Sequence, residues 1–475
     1  MAVEIDNRSI WLIITIRALR PLFFVSLALF VWYVNALPDP QGLTSQGKSA
    51  IAVFLLCLAL WVSQAVPLAV TSIAAIVLVP LLGILSKEET YSIFGNEAVF
   101  FILGAFILAG AVLNSGLSNR IALGIMERFG NSPRRLVLSI FLLAAVLSFF
   151  MSEHAVAAML FPIVLEIAKS LDLRPGRSNY GKLLFLSLAW GCVIGGVATF
   201  LGGARVPLAV GILKELTGEG INFLNYTVAV FPMVVVMLLI GYFLLLKLFP
   251  IDIGSVTKAR EVLSNRIYEM GKVSYVEYAV GTLMVLTIAL WMTLGEEVGL
   301  STIALLSVIA LFVFRLVRWK DIEEYVNWGI ILMYGGAIIL GTALDKSGAA
   351  KWLAEHTIAE WATTPWMVIA LLSLLTLLMT EGISNAAVIA ILLPIGIGYA
   401  GEFGMSAMVI TFAVAVPAGL AFALPMSTPA NAIAVSSGYI RVKDMAKAGA
   451  LMTFFAWIVF NLTAKYYWPL IGMGY

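Results

Sequence analysis

From residue 21 to residue 472 the chain is a succession of apolar runs, each about as long as a helix needs to cross a bilayer, roughly 20 residues. No water-soluble globule accommodates that pattern, because a chain of this size needs far more polar surface to cover its core. Composition agrees: 61% of the residues are hydrophobic and 12% charged, against about half and about a quarter in soluble domains. The predicted class is an all-α polytopic membrane protein. Nucleic-acid binding is excluded for want of a soluble basic domain. Cys57 and Cys192 both fall in apolar segments, and His154 and His356 are the only histidines. Neither a disulfide framework nor histidine-rich metal chemistry is expected. Met1 to Arg20 runs into the first apolar stretch without a small-residue cleavage pattern, so no cleavable signal is expected.

Spans are placed near 21–37, 49–66, 68–85, 97–116, 181–214, 226–249, 274–294, 300–317, 328–347, 407–440 and 448–472. Two further blocks, 135–172 and 364–400, are too long for one helix and carry polar residues at their middles. The first has Ser152-Glu153-His154 there, and the second has Glu381-Gly382-Ile383-Ser384-Asn385. Each block is either two full spans or a re-entrant hairpin, and irregular polar backbone at that depth must line a protein cavity. Both options give the same sidedness. With Arg8, Arg17 and Arg20 in the cytoplasm, that side collects 19 Lys and Arg against 5 outside, as the positive-inside bias requires. The N-terminus is then cytoplasmic and the C-terminus outside, in a plasma or inner membrane.

The two blocks are copies. Ser152 and Ser384, Pro162 and Pro394, and Ser115 and Ser347 are each 232 positions apart, and Gly202–Val206 matches Ser427–Asn431 at a separation of 225. Because the blocks open from opposite faces, the repeats are inverted, an architecture common in secondary transporters whose site lies where broken helices meet near the midplane. The plan is a first span within 1–48 and a first repeat, 49–249, with scaffold 49–130, hairpin 135–172 and broken helix 181–214. A cytoplasmic connection, 250–273, leads to the second repeat, 274–472, with scaffold 274–360, hairpin 364–400 and broken helix 407–440. About eleven transmembrane helices and two re-entrant hairpins result.

The polar tips carry the chemistry. Thr380 to Asn385 faces the interrupted stretch Leu424-Pro425-Met426-Ser427-Thr428-Pro429-Ala430-Asn431. Proline frees carbonyl oxygens, which with hydroxyl and amide oxygens can replace the water shell of a hard cation, while half-helix N-termini aim N–H groups at an anion. In the first repeat Ser148, Ser152, Glu153 and His154 face Gly202-Gly203-Ala204-Arg205. An arginine this deep in an apolar stretch is costly and normally pairs or functions. Arg205 either pairs with Glu153 or presents its planar fork to a carboxylate or sulfate, and the two roles are compatible. Glu381, with no cation beside it in sequence, is read as accepting N–H bonds that fix its tip. His356 is read as a surface residue.

These tips, with Ser384-Asn385 and Leu424-Pro425-Met426-Ser427-Thr428-Pro429-Ala430-Asn431-Ala432-Ile433, resemble those of the divalent anion/sodium symporter family over nearly the whole chain. The resemblance implies transport of a dicarboxylate, tricarboxylate or sulfate by an elevator mechanism in a homodimer embedded in the lipid bilayer. It implies no organic cofactor, with sodium as coupling ion. A second sodium site would use Thr380, Ile383, Asn385 and Ser427, and a first Ser148, Ser152, Glu153 and Gly202. The anion would lie near His154, Gly203, Asn385, Thr428 and Pro429, to which the reading of the residues themselves adds Glu153 and Arg205. The chain departs from the family pattern at both tips: Glu153 and His154 replace an Asn-Thr pair, Ala386 replaces a threonine, and Arg205 enters a segment that is otherwise neutral. The first sodium site is therefore expected to be altered and the second intact. A proton-coupled carrier, or an exchanger in which Arg205 replaces a coupling cation, is the alternative. An anion channel and an intramembrane enzyme are remoter, since the polar residues cluster at one depth and neither a nucleophile motif nor a metal-ligand set accompanies Glu153 and His154.

Overall fold

The computed structural model describes residues 25–27, 29–357, 364–402 and 404–474, and these form helices joined by short loops. Arg8, Arg17, Arg20 and the start of the first expected span lie outside the described residues. Seven described helices are long and apolar enough to cross a membrane: Ser45–Ser63, Lys87–Ser115, Phe223–Leu248, Tyr275–Val298, Trp328–Lys346, Pro365–Gly382 and Val442–Ile471. The other apolar runs are built from shorter pieces. Leu68–Leu81 and Leu300–Val313 have 14 residues each, and the runs 181–214 and 407–440 are interrupted by non-helical backbone.

Each long apolar block is a helical hairpin. The first has arms Pro133–Leu147 and Glu153–Ser170, and the second has arms Pro365–Gly382 and Asn385–Glu402. The arms start 232 positions apart in both cases, at Pro133 and Pro365 and at Glu153 and Asn385. Sequence explains the ends. Ser132 and Thr364 cap first arms that open on proline, where the missing N–H costs nothing. The tip serines cap the second arms: Ser152 Oγ accepts from Ala155 N at 3.3 Å and Ser384 Oγ from Ala387 N at 3.2 Å. At 1.5 Å per residue the arms are about 22–27 Å long.

The broken helices pack by close backbone approach. In the first, Asn179–Gly195 is followed by non-helical backbone over 196–204 and then by Arg205–Thr217. A Cβ on Gly191 or Gly195 would collide with backbone atoms of Phe141 or Ala145, so these glycines let the helix lie directly on the first hairpin arm, as small residues do in membrane interfaces. In the second, Ala407–Ala415 ends in a 3-10 turn, Pro417–Gly419, and the chain resumes as Pro429–Ser436. Gly449 of the last long helix seats against the backbone of Phe422 and Ala423.

The halves interlock. Arg205–Thr217 packs on Asn385–Glu402 and Ala407–Ala415, while Pro429–Ser436 packs on Glu153–Ser170 and Asn179–Gly195. Leu68–Leu81 lies against Trp328–Lys346, and Leu300–Val313 lies against Glu97–Ser115. The connection between the halves contains the polar helix Thr257–Met270, tied to the first hairpin by Lys258–Asp172 at 2.7 Å and Arg266–Glu166 at 2.6 Å. These ion pairs are exposed and contribute little to stability.

Candidate functional site

In the first half the hairpin tip docks on the non-helical segment of the broken helix. Glu153 N donates to Gly202 O at 3.0 Å, and Thr199 Oγ1 donates to Phe149 O at 2.5 Å. Tyr226 Oη donates to Val197 O at 2.9 Å and pins the segment from its other side. Helix Arg205–Thr217 starts there, which places the Arg205 guanidinium beside the tip. Its Nη1 lies 3.3 Å from Glu153 Oε1, with the two side chains only 3% and 7% exposed. Three polar atoms of this pair, Arg205 Nε, Arg205 Nη2 and Glu153 Oε2, are buried without a hydrogen-bond partner among the described residues, as is Ser148 Oγ.

Burying an ion pair is favourable only when its remaining donors and acceptors are satisfied. Here Nη1 is spent on Glu153, while Nε and Nη2, the parallel edge of the fork, are unspent. That edge is the geometry for two-point contact with a carboxylate or sulfate. Three glycines make room for it. A Cβ on Gly196 would meet Arg205 Nη2 and Glu153 Oε2, one on Gly203 would meet Nη1, and one on Gly419, from the other broken helix, would meet Nε.

The second half builds a neutral cluster in the matching place. The Thr380 hydroxyl lies 2.7 Å from Asn385 Oδ1 and 2.8 Å from Ala418 O. Asn431 Nδ2 donates to Ser427 Oγ at 3.0 Å and to Ala421 O at 3.1 Å, and Ser427 Oγ donates to Leu424 O at 2.6 Å. Asn431 is fully buried, and its Oδ1 has no hydrogen-bond partner among the described residues. Oxygens of this kind suit a hard cation. Glu381 accepts from the N–H groups of Phe422, Ala423 and Leu424 at 2.9–3.1 Å and from the Thr453 hydroxyl at 3.2 Å. It thus accepts N–H bonds as the sequence suggested, and those bonds bind its tip to the opposing broken helix.

Most residues expected at the site fall in these clusters. Ser148, Glu153, Gly202, Gly203 and Arg205 gather at the first tip, Thr380 and Asn385 meet at the second, and Ser427 lies with Asn431 in the break of the second broken helix. Ile383 is the extended, buried link of the second tip. Ser152 and Thr428 cap helices, Thr428 Oγ1 accepting from Asn431 N at 3.2 Å. Pro429 opens the helix that Thr428 caps and is exposed. His154 is exposed and makes none of the hydrogen bonds of either cluster. His356 is exposed and stacks on Trp352 at 4.3 Å. Asn431 and Gly419 were not singled out from sequence. A buried asparagine after the proline interruption was the available signal for Asn431, and nothing local marks Gly419.

The match that decides the family covers nearly the whole chain: the model of the sodium:sulfate symporter transmembrane region fits residues 20–474. The chain belongs to this family. It is 30% identical over 479 residues to the sodium-dependent dicarboxylate transporter SdcS of Staphylococcus aureus strain bovine RF122 / ET3-1, spanning 95% of this chain and 91% of the relative. Identity and coverage are the same for SdcS of strain MSSA476. Among solved structures, Neisseria gonorrhoeae MtrF superposes with a TM-score of 0.57 at 16% identity, covering 92% of this chain and 96% of MtrF. The Alcanivorax borkumensis YdaH transporter gives 0.52 at 14%, covering 81% and 88%. These two likenesses concern the fold alone. Membership of the sodium:sulfate symporter family makes the chain an integral, multi-pass membrane transporter and not an enzyme.

Proposed function

We propose that the chain is a secondary active transporter that carries a small divalent anion together with sodium, with a dicarboxylate such as succinate or malate ahead of sulfate. The observation that carries this reading is the unspent Nε/Nη2 edge of Arg205, buried between the two non-helical segments and beside a neutral oxygen cluster. The family and the dicarboxylate relatives support both the anion class and the ion. In this reading the anion bridges Arg205 and the start of Pro429–Ser436, near Gly203, Asn385 and Thr428. Glu153 orients the guanidinium, and His154 follows Glu153 on the same tip. Sodium is held by Thr380, Ile383, Asn385 and Ser427. Ser148, Ser152 and Gly202 form the corresponding corner of the first tip.

The elevator reading draws support from the interlocked hairpins and broken helices. Each half-helix beyond a break packs on the other half's hairpin, and in this reading the four elements move as one body against the long spans. Inverted repeats, re-entrant hairpins, a cytoplasmic N-terminus, an external C-terminus and a homodimer complete the proposal. An exchanger or proton-coupled carrier is the second reading, favoured by the fixed charge of Arg205 and the unpaired Glu153 Oε2.

Ligand binding tests the proposal directly, because a ligand that binds only the folded protein raises its melting temperature. Millimolar succinate or sulfate is expected to raise the Tm of the detergent-solubilised protein in sodium and not in choline. Absence of a shift with either anion in sodium contradicts the reading; equal shifts in both salts favour the exchanger.

A further inference from the structure

We propose that the Glu153–Arg205 pair closes the first half to sodium, so that a single sodium, held in the second half, accompanies each anion. The inference rests on the transport reading above and specifies its coupling. Three differences between equivalent positions carry it.

The first concerns a backbone carbonyl. Gly202 and Ser427 correspond, as do Glu153 and Asn385. Glu153 N–H donates to Gly202 O at 3.0 Å, whereas no such bond joins Asn385 N to Ser427 O. The first-half oxygen carries a hydrogen bond from its own tip that its second-half counterpart does not. The second concerns the tip side chain. Asn385 presents a neutral amide oxygen 2.7 Å from the Thr380 hydroxyl; in its place Glu153 presents a carboxylate, one oxygen of which is 3.3 Å from a guanidinium.

The third is the guanidinium itself. A cation in the first half would sit where the carbonyls of Ser148 and Gly196 converge on Gly202, and Gly196 turns its other side to Arg205 Nη2 and Glu153 Oε2. The one carboxylate there balances one positive charge, and Arg205, which does not lose its proton, already supplies it at 3.3 Å, so a sodium ion beside the pair would be an uncompensated charge in a low-dielectric site. Glycines at 196, 203 and 419, drawn from both halves, leave the space this side chain fills. That seat marks the guanidinium as the resident positive group of the first half. Among the described residues Asn431 Oδ1 is buried without a partner in the second half, as Glu153 Oε2 and Ser148 Oγ are in the first, but only the first-half oxygens share their site with a fixed positive charge.

The test is the stoichiometry of the wild-type protein in proteoliposomes, so no variant has to fold. Uptake of radiolabelled sodium is measured in parallel with that of radiolabelled succinate or sulfate, whichever is accumulated, over a range of sodium concentrations. The expected result is one sodium per anion with a hyperbolic sodium dependence. A ratio of two or more, or a sigmoidal dependence, overturns the inference and leaves sodium-coupled transport standing. Anion uptake with no sodium dependence overturns both.

Discussion

Arg205→Ala is expected to reduce anion uptake at least 100-fold. The substitution removes the fork edge that faces the second broken helix and leaves Glu153, 5% exposed, without its partner. Removing one member of a buried pair typically costs about 3–5 kcal/mol, so the single variant is expected to melt lower as well. The double variant Arg205→Ala/Glu153→Gln separates the two effects. With no uncompensated charge left, its Tm is expected to return toward wild type while uptake stays lost. Arg205→Lys keeps the charge but not the planar fork, and at least a tenfold loss is expected. Uptake by the double variant within a few-fold of wild type would contradict a substrate-binding role for Arg205.

The second large effect is expected at Glu381, a positioning residue. Its carboxylate holds the N–H groups of Phe422, Ala423 and Leu424. In a trans peptide the C=O points opposite to the N–H. Fixing Phe422 N–H from one side therefore turns the Ala421 carbonyl to the other, where it accepts from Asn431 Nδ2 at 3.1 Å. Hydrogen bonds to a charged group contribute about 1.5–3 kcal/mol each, and orphaned buried donors add a further cost. In Glu381→Ala the cluster of Ser427 and Asn431 loses its backing, and the KM for sodium is expected to rise at least tenfold. The KM for the anion at saturating sodium should move less than threefold, and Glu381→Gln should recover part of the loss. Kinetics would show this split; an unchanged sodium KM would contradict the role.

What sequence made legible follows from what is local. The tips were readable because polar residues in the middle of an apolar block have few places to go, and the copy 232 positions on fixed their equivalence. Glu153 and Arg205 were readable as a pair because two buried charges of opposite sign in one half have few other partners. Their single 3.3 Å contact, which leaves the Nε/Nη2 edge unspent, is a matter of orientation and carries no sequence signal. Gly419 was hidden for a related reason: it touches Arg205 across the two halves, and nothing around it differs from any proline-glycine turn. Asn431 lay within the quoted motif, but its role depends on which of its two amide atoms finds a partner. Span counting was less informative, because apolar length does not distinguish a crossing from two half-helices joined by irregular backbone, as over 181–214.

The most direct test of sodium-coupled anion transport is uptake of labelled succinate and sulfate into proteoliposomes with and without an inward sodium gradient. The account predicts accumulation of at least one of them above equilibrium, driven by the gradient and abolished when choline replaces sodium. Uptake of neither anion under the gradient, or uptake only against preloaded anion irrespective of sodium, would contradict it.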